Sequence, residues 1–352
     1  MPPQPRVVIV SPGLPPPPGG LQQLALDAHV GLAQHADVTT VGIAARPVGI
    51  DGVHTVSPGR TAPLRLTAAA LKLVRANSPD VLLSVTWKVA TPTQPFHKGA
   101  SVIYALGAEL VRPTGAMRRL RDRTLNGADA IVAISRYSAE LVSTMTQTPV
   151  SVVSPGVVLP KHRAARARSH EGLRVVSVGA LVPRKGHRRL LEAVAHARAQ
   201  HADVRLTIVG EGPMRPELQH AITKLGLTDV AWLTGRLTAE ERDRHYRSAD
   251  AFALLGERQG DEFEGFGIVL LEAASYGLPI ITTLTGGTAD AVADDNALTV
   301  SSAEEAGDAL VLLAEDPVRA DALSEAGVAF AERCSVERRA EDLLAILRAV
   351  TR

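Results

Sequence analysis

EFEGFGIVLLEAASYGLPIITTLTGG, residues Glu262 to Gly287, brings three kinds of signal into one stretch. Gly265, Phe266 and Gly267 open an apolar run with helical character, and Gly277-Leu278-Pro279 stops it. A short apolar strand follows, expected to end in Gly286-Gly287. Glycines at a helix start let the backbone come close to a ligand, and the free N–H groups of the first turn hold phosphate oxygens. Glu264 falls in the loop before this helix and Glu272 on its second turn, so both carboxylates can face one bound molecule. A carboxylate accepts two hydroxyls at once, which suits a ribose or a hexose. The bare spacing of two glutamates is commonplace on solvated helix faces; the frame of glycines and apolar residues makes it specific.

Outward from this stretch, the second half of the chain reads as strands at LRVVSVGA (Leu173 to Ala180), VRLTIVG, VAWLTG, DAFALLG, LPIITTL and ALTVSS, each separated by a helical pattern. The first half repeats the scheme with RVVIVSP (Arg6 to Pro12), DVTTVGIA, DVLLSV, SVIYAL and DAIVAIS. Such alternation predicts mostly parallel sheets covered on both faces, once in each half. Between the halves, KHRAARARSHEG is basic and poor in core residues, which marks 161–172 as a linker, more simply a solvated one than a nucleic-acid patch. The tail from Ser335 is amphipathic, with Leu343, Leu344, Ile346, Leu347 and Val350 on one side.

Composition sets outer limits. A chain of 352 residues with 45% apolar content is long enough for two cores, and a net charge of +1 gives no reason to expect nucleic acid. The single cysteine, Cys334, excludes an internal disulfide framework. The start lacks a long apolar h-region and no apolar run has the length of a membrane span, so a cytoplasmic protein is expected. No Asp-x-Asp and no zinc-type histidine spacing occurs, so neither a metal nor another cofactor is expected.

Several loops add candidate ligand contacts. GLPPPPGG ends in Gly19 and Gly20 ahead of the helix pattern LQQLALDAHVGLA, a second phosphate cradle or, alternatively, a stiff surface excursion. Arg184 and Lys185 in VPRKG lie just past a strand end, where two cations can neutralise a diphosphate, the lysine as a point charge and the arginine as a fork. Gly210 and Gly212 in GEGPM allow tight passage beside a nucleotide, and a plain strand-to-helix turn fits them equally well. The arginines of RPTGAMRRLRDR (Arg112 to Arg123) suit anionic lipid headgroups or a solvated helix.

With EGFGIVLLEAASYGLPII closed by TGG, the opening stretch resembles the Glu-x7-Glu signature of the retaining family-4 glycosyltransferases, and the resemblance covers most of the chain. It implies the α/β GT-B fold, two facing Rossmann-like domains with a cleft between them. The domains are then 1–160 on the acceptor side, the linker 161–172, 173–334 for the donor, and a C-terminal helix 335–352 crossing back to the first domain. By this resemblance Glu264 meets the transferred sugar, Glu272 the ribose, Arg184 and Lys185 the diphosphate, and Gly19-Gly20 the donor phosphates and the acceptor. The backbone at Arg236-Leu237 in LTGRLT takes the place that reads the nucleobase. Two departures stand out. The arginine usual after Gly179 is replaced by Ala180, which puts its charge on Arg184, and the histidine usual in YALGAELV is replaced at Leu106, although Glu109 is kept among the catalytic candidates. His97, in the preceding loop, also fits an ordinary surface histidine. The implied activity is transfer of a hexose from a nucleotide-diphosphate sugar, a UDP- or GDP-sugar, to a hydroxyl of a small-molecule or lipid acceptor, with weak peripheral membrane contact and no nucleic-acid partner. The alternatives are a GT-B-type sugar-nucleotide epimerase or hydrolase, and a nucleotide-sugar binder without catalysis.

Overall fold

In the first unit, near-continuous apolar runs pair side by side. The strands are β1 (Arg6–Ser11), β2 (Asp37–Ile43), β3 (Val53–Val56), β4 (Val81–Ser84), β5 (Ala100–Ala105), β6 (Ala130–Ala133) and β7 (Val150–Val152). They form one parallel sheet in the order β3-β2-β1-β4-β5-β6-β7. The central strands β4, β5 and β6 are buried at every residue, the pattern expected when helices cover both faces. The helices are α1 (Gly20–Leu32), α2 (Ala62–Asn77), α3 (Trp87–Thr93), α4 (Ala108–Val111), α5 (Gly115–Asn126) and α6 (Arg136–Ser143). The computed structural model describes residues 4–15, 19–160 and 172–351. The prolines 16–18 of the glycine-proline loop and positions 161–171 of the expected linker lie outside the described residues.

The C-terminal helix, Val336–Val350, packs on α1. Contact is close because Gly31 carries no side chain: a Cβ there would collide with the Cβ of Ala340. This helix therefore belongs to the first unit, which runs to Gly156 and resumes at Val336; the second runs from Val157 to Ser335. The boundaries fall after Gly156 rather than Pro160, and after Ser335 rather than Cys334. Val157 explains the shift, since it donates its N–H to the Cys334 carbonyl (3.0 Å) and bridges to Ser335.

The second unit holds β8 (Leu173–Val178), β9 (Val204–Val209), β10 (Ala231–Gly235), β11 (Ala251–Leu254), β12 (Ile280–Thr282) and β13 (Ala297–Thr299), all parallel in the order β10-β9-β8-β11-β12-β13. Its helices are α7 (His187–Ala199), α8 (Arg215–Lys224), α9 (Ala239–Ser248), α10 (Ile268–Ser275), α11 (Ala303–Glu315) and α12 (Pro317–Arg333). Leu191, Val194, Leu206, Ile208, Ile281 and Leu310 lie in its closed core. The chain winds from β8 to the β10 edge, then restarts at β11 on the other side of β8. In open α/β sheets, ligands gather at the strand C-ends at such a reversal.

One expectation about the opening stretch is corrected. The strand stops at Thr282 and does not reach Gly286-Gly287, which instead begin a 3₁₀ turn, Gly286–Asp290. The Thr282 and Thr283 hydroxyls leave the ladder direction, donating to the carbonyls of Leu254 (2.9 Å) and Gly256 (2.6 Å). That ties the loop after β12 to the loop after β11.

Candidate active site

After β8 the chain enters a 3₁₀ turn, Pro183–Lys185, closed by Gly186 at φ 64°. Any side chain at Gly186 would run into the Leu255 carbonyl at the end of β11, so only glycine lets this turn press onto the neighbouring strand. The turn buries Lys185, whose Cδ would stand 3.3 Å from a Cβ built on Gly179. From the other side, the loop after β11 is anchored by buried Phe263 and Phe266 and delivers Glu264. The Glu264 carbonyl lies against Gly286, in left-handed backbone at φ 62°, and accepts the Gly287 N–H at 2.8 Å. Gly286-Gly287 thus act by holding the backbone of Glu264.

These constraints converge three charges. Glu264 Oε2 lies 2.6 Å from Lys185 Nζ and 2.6 Å from Arg184 Nη1. The side chains of Lys185 and Glu264 are only 9% and 14% exposed, and Arg184 is 28% exposed. Burial pushes the Glu264 carboxyl up, but Lys185 and then Arg184 outweigh it and hold it below the ordinary carboxylate range. Two cations against one carboxylate leave a surplus positive charge in a place with little water, and such a charge favours an anionic ligand. Ala180 is exposed beside this turn and offers no charge, while Arg184 reaches the same Glu264 oxygen as Lys185.

Glu272 lies on the second turn of α10, after Gly267, which caps the helix in left-handed backbone at φ 89°. Its Oε2 accepts the Tyr246 hydroxyl at 2.8 Å and its Oε1 lies 3.8 Å from Arg242 Nη2. Tyr246 is a buried α9 residue, stacked on Tyr276 with centroids 5.2 Å apart. Burial and then Glu272 push the Tyr246 phenol far above its ordinary value, so it keeps its proton and donates.

At Gly210 and Gly212 side chains would strike the carbonyls of Gly179 and Leu181, because the loops after β8 and β9 pass in contact. The Gly210 N–H also donates to the Gly235 carbonyl at 3.0 Å. Beyond it, Arg236 is exposed and Leu237 half-buried. Gly265 is half-buried in the Glu264 loop.

In the first unit, Gly19 precedes α1 and Gly20 begins it. Glu109 sits in the first turn of α4, and its Oε1 accepts the Leu106 N–H at 2.8 Å. Burial raises the Glu109 carboxyl above its ordinary value, with the backbone bonds opposing. His97 turns its Nε2 to the Ala100 carbonyl at 3.1 Å, a packing contact. Among the described residues no group of three or more His, Cys, Asp or Glu side chains is placed to hold a metal. No described helix is long and apolar enough to cross a membrane.

Sequence reading passed over Tyr246, Arg242 and His187. His187 is buried at the start of α7, where burial and then Lys185 lower its pKa to about 4, so it is neutral near pH 7. Tyr246 and Arg242 sit four apart in AEERDRHYRS, a strongly polar helix, and no local pattern links them to a glutamate on the next helix.

A cluster of two cations at the reversal of a doubly wound sheet, with Glu264 and Glu272 beside it, fits the class of proteins that handle a phosphorylated, hydroxyl-rich ligand. Residues 160–329 match the family described as glycosyl transferases group 1. The chain is 30% identical over 299 residues to the GDP-mannose-dependent alpha-(1-6)-phosphatidylinositol monomannoside mannosyltransferase of Mycolicibacterium smegmatis, covering 80% of this chain and 72% of that protein. It is 35% identical over 218 residues to the D-inositol 3-phosphate glycosyltransferase of Segniliparus rotundus, covering 58% and 47%. Among solved structures, Anabaena Alr3699/HepE in complex with UDP and glucose superposes with a TM-score of 0.78 at 19% identity, covering 98% of this chain and 100% of that one. Sucrose-phosphate synthase from Thermosynechococcus elongatus gives 0.77 at 18%, with 98% of both chains. The chain belongs to the group 1 glycosyltransferases and has their GT-B fold of two Rossmann-like domains. It is a nucleotide-sugar glycosyltransferase, and the epimerase, hydrolase and inactive-binder alternatives find no support.

Proposed function

We propose that this glycosyltransferase moves a hexose from a UDP- or GDP-sugar to an acceptor hydroxyl with retention and without a metal ion. The observation that carries the reading is the convergence of Arg184, Lys185 and Glu264 at the C-ends of β8 and β11. Arg184 and Lys185 bind the diphosphate and take up the charge that develops on it as it leaves, the work a divalent cation does elsewhere. Glu264 holds sugar hydroxyls and Glu272 the two ribose hydroxyls. The acceptor oxygen bonds to the anomeric carbon on the face from which the diphosphate departs. The bond from that carbon to the phosphate oxygen breaks, and the acceptor proton passes to the leaving oxygen, so no protein nucleophile is needed.

The relatives' names support the donor and acceptor classes: the mannosyltransferase is GDP-mannose-dependent and named for a phosphatidylinositol monomannoside, and the second relative is named for D-inositol 3-phosphate. A lipid acceptor also fits the surface of α5, where Arg118, Arg119 and Arg123 are exposed beside exposed Met117 and Leu120. Thermal stabilisation across UDP-, GDP-, dTDP- and ADP-sugars tests the reading, because a ligand that binds only the folded chain raises its melting temperature by mass action. A UDP- or GDP-sugar should stabilise most, and release of the free diphosphate should depend on an added acceptor. No stabilisation by any of the four overturns the donor assignment.

A further inference from the structure

We infer that Tyr246 is a positioning residue for the nucleotide: its hydroxyl, with Arg242 on the other side, aims the Glu272 carboxylate at the ribose. The inference deepens the reading of Glu272 as the ribose contact and rests on it. A carboxylate on a surface turn rotates freely, and freezing it costs entropy when a ligand binds. Glu272 is already held. Its Oε2 accepts the phenolic hydrogen at 2.8 Å, leaving its other lone pairs and those of Oε1 for a ligand. The phenol is itself immobile, 1% exposed, stacked on Tyr276 at 5.2 Å with 16° between ring planes, and 6.2 Å from Phe252. Tyr276, in turn, hydrogen-bonds Asp243.

Arg242 completes the arrangement. It lies one helical turn before Tyr246 on α9, so both project to the same side. Its Nη2 faces Oε1 at 3.8 Å, and its buried Nε has no hydrogen-bond partner among the described residues. At 3.8 Å the guanidinium faces the carboxylate without hydrogen-bonding it, so Oε1 stays free to accept hydroxyls. α9 is a rigid base for this, fixed at its start by a reciprocal cap in which Thr238 and Glu241 bond each other's backbone N–H.

The experiment is titration calorimetry of the full chain with GDP and UDP and with their 2′,3′-dideoxy forms, for wild type, Tyr246→Phe, Arg242→Met and Glu272→Gln. Phenylalanine keeps the stack and deletes only the hydroxyl. Tyr246→Phe should weaken binding of the ribonucleotide about tenfold, the order expected for one hydrogen bond to a charged group, and leave the dideoxy form unchanged. Arg242→Met should show the same selectivity and serves if Tyr246→Phe fails to fold. Equal weakening of both forms shows that Tyr246 acts only through packing, which overturns the inference. Unchanged ribonucleotide affinity in Tyr246→Phe, beside a loss in Glu272→Gln, overturns it while the Glu272 reading stands. A Glu272→Gln variant that binds like wild type, or a wild type that binds neither nucleotide, overturns that reading and this inference together.

Discussion

The two sheets share one winding, and their reversal points differ in chemistry. In the first unit the reversal lies between β1 and β4, and hydroxyls stand there: Ser11 donates to the Gly13 carbonyl at 2.6 Å, and Ser84 and Thr86 follow on the β4 side. The neighbouring carboxyl, Glu109, is turned onto the backbone of its own turn. In the second unit the reversal lies between β8 and β11 and carries Arg184, Lys185 and Glu264, with a surplus positive charge. Equivalent topology therefore supplies equivalent places, and the side chains set there give the two places different charge.

The largest expected effect tests whether the charge difference matters. Lys185→Ala and Arg184→Ala should each raise the transfer barrier by about 2–4 kcal/mol, in line with other groups that stabilise a developing oxyanion. Steady-state rates with EDTA present check this. A normal rate for Arg184→Ala beside a crippled Lys185→Ala means that Arg184 serves only the pair with Glu264, and rescue by added Mg²⁺ would point to a metal role.

Next comes acid sensitivity, to which His187 of the second unit should contribute most, because its shift is the largest among the histidines lowered by burial. His187 protonates near 6.5 in an unfolded chain and only at about 4 in the fold. Between those values the unfolded chain binds more protons, so stability falls as pH drops from 6.5 towards 4. The interval corresponds to roughly 3 kcal/mol. Glu264, held below the ordinary carboxylate value, contributes stability above that value that is lost as pH falls through its folded pKa. Denaturant melts from pH 7 to 4 should show a slope that flattens in His187→Asn; an unchanged slope assigns the loss to other groups.

The two signature glutamates should separate. Glu272→Gln should weaken nucleotide and nucleotide-sugar alike by roughly 1.5–3 kcal/mol. Glu264→Gln should slow transfer while leaving binding of the free diphosphate almost intact, since Arg184 and Lys185 remain to hold it. Calorimetry against rate measurements distinguishes them, and equal loss of diphosphate and donor in Glu264→Gln would place that carboxylate in phosphate binding.

The smallest effect is expected in the first unit. Glu109→Gln keeps an oxygen that can accept the Leu106 N–H, so stability should change by less than about 1 kcal/mol. A loss of rate comparable to that of Lys185→Ala would break the comparison, because it would give the first unit a charge-bearing part in the chemistry.

Much of the architecture was legible because central parallel strands are buried on both faces and so read as nearly unbroken apolar runs, as β1, β4, β5, β6, β8, β11 and β12 do, while β2, β9, β10 and β13 were read from mixed apolar and polar stretches between helical patterns. The edge strand β3 was not, since VHTV is half-exposed and half-polar. The break after Thr282 was hidden too, because threonines suit a strand equally well and only their bonds to Leu254 and Gly256 pull the chain aside. At the site, the sequence by itself determined which residue types were available: the glycines, the two glutamates and the Arg-Lys pair in their loops. What only the tertiary structure decided is which of them meet. Arg184 and Glu264 are 80 positions apart, and their contact follows from β8 pairing β11 at Val175–Ala251 and Val176–Phe252. Tyr246 reaches Glu272 from another helix in the same way. Strand pairing and helix packing are cooperative, non-local choices, so side chains that look unrelated along the chain acquire a common chemistry only when the sheet closes around them.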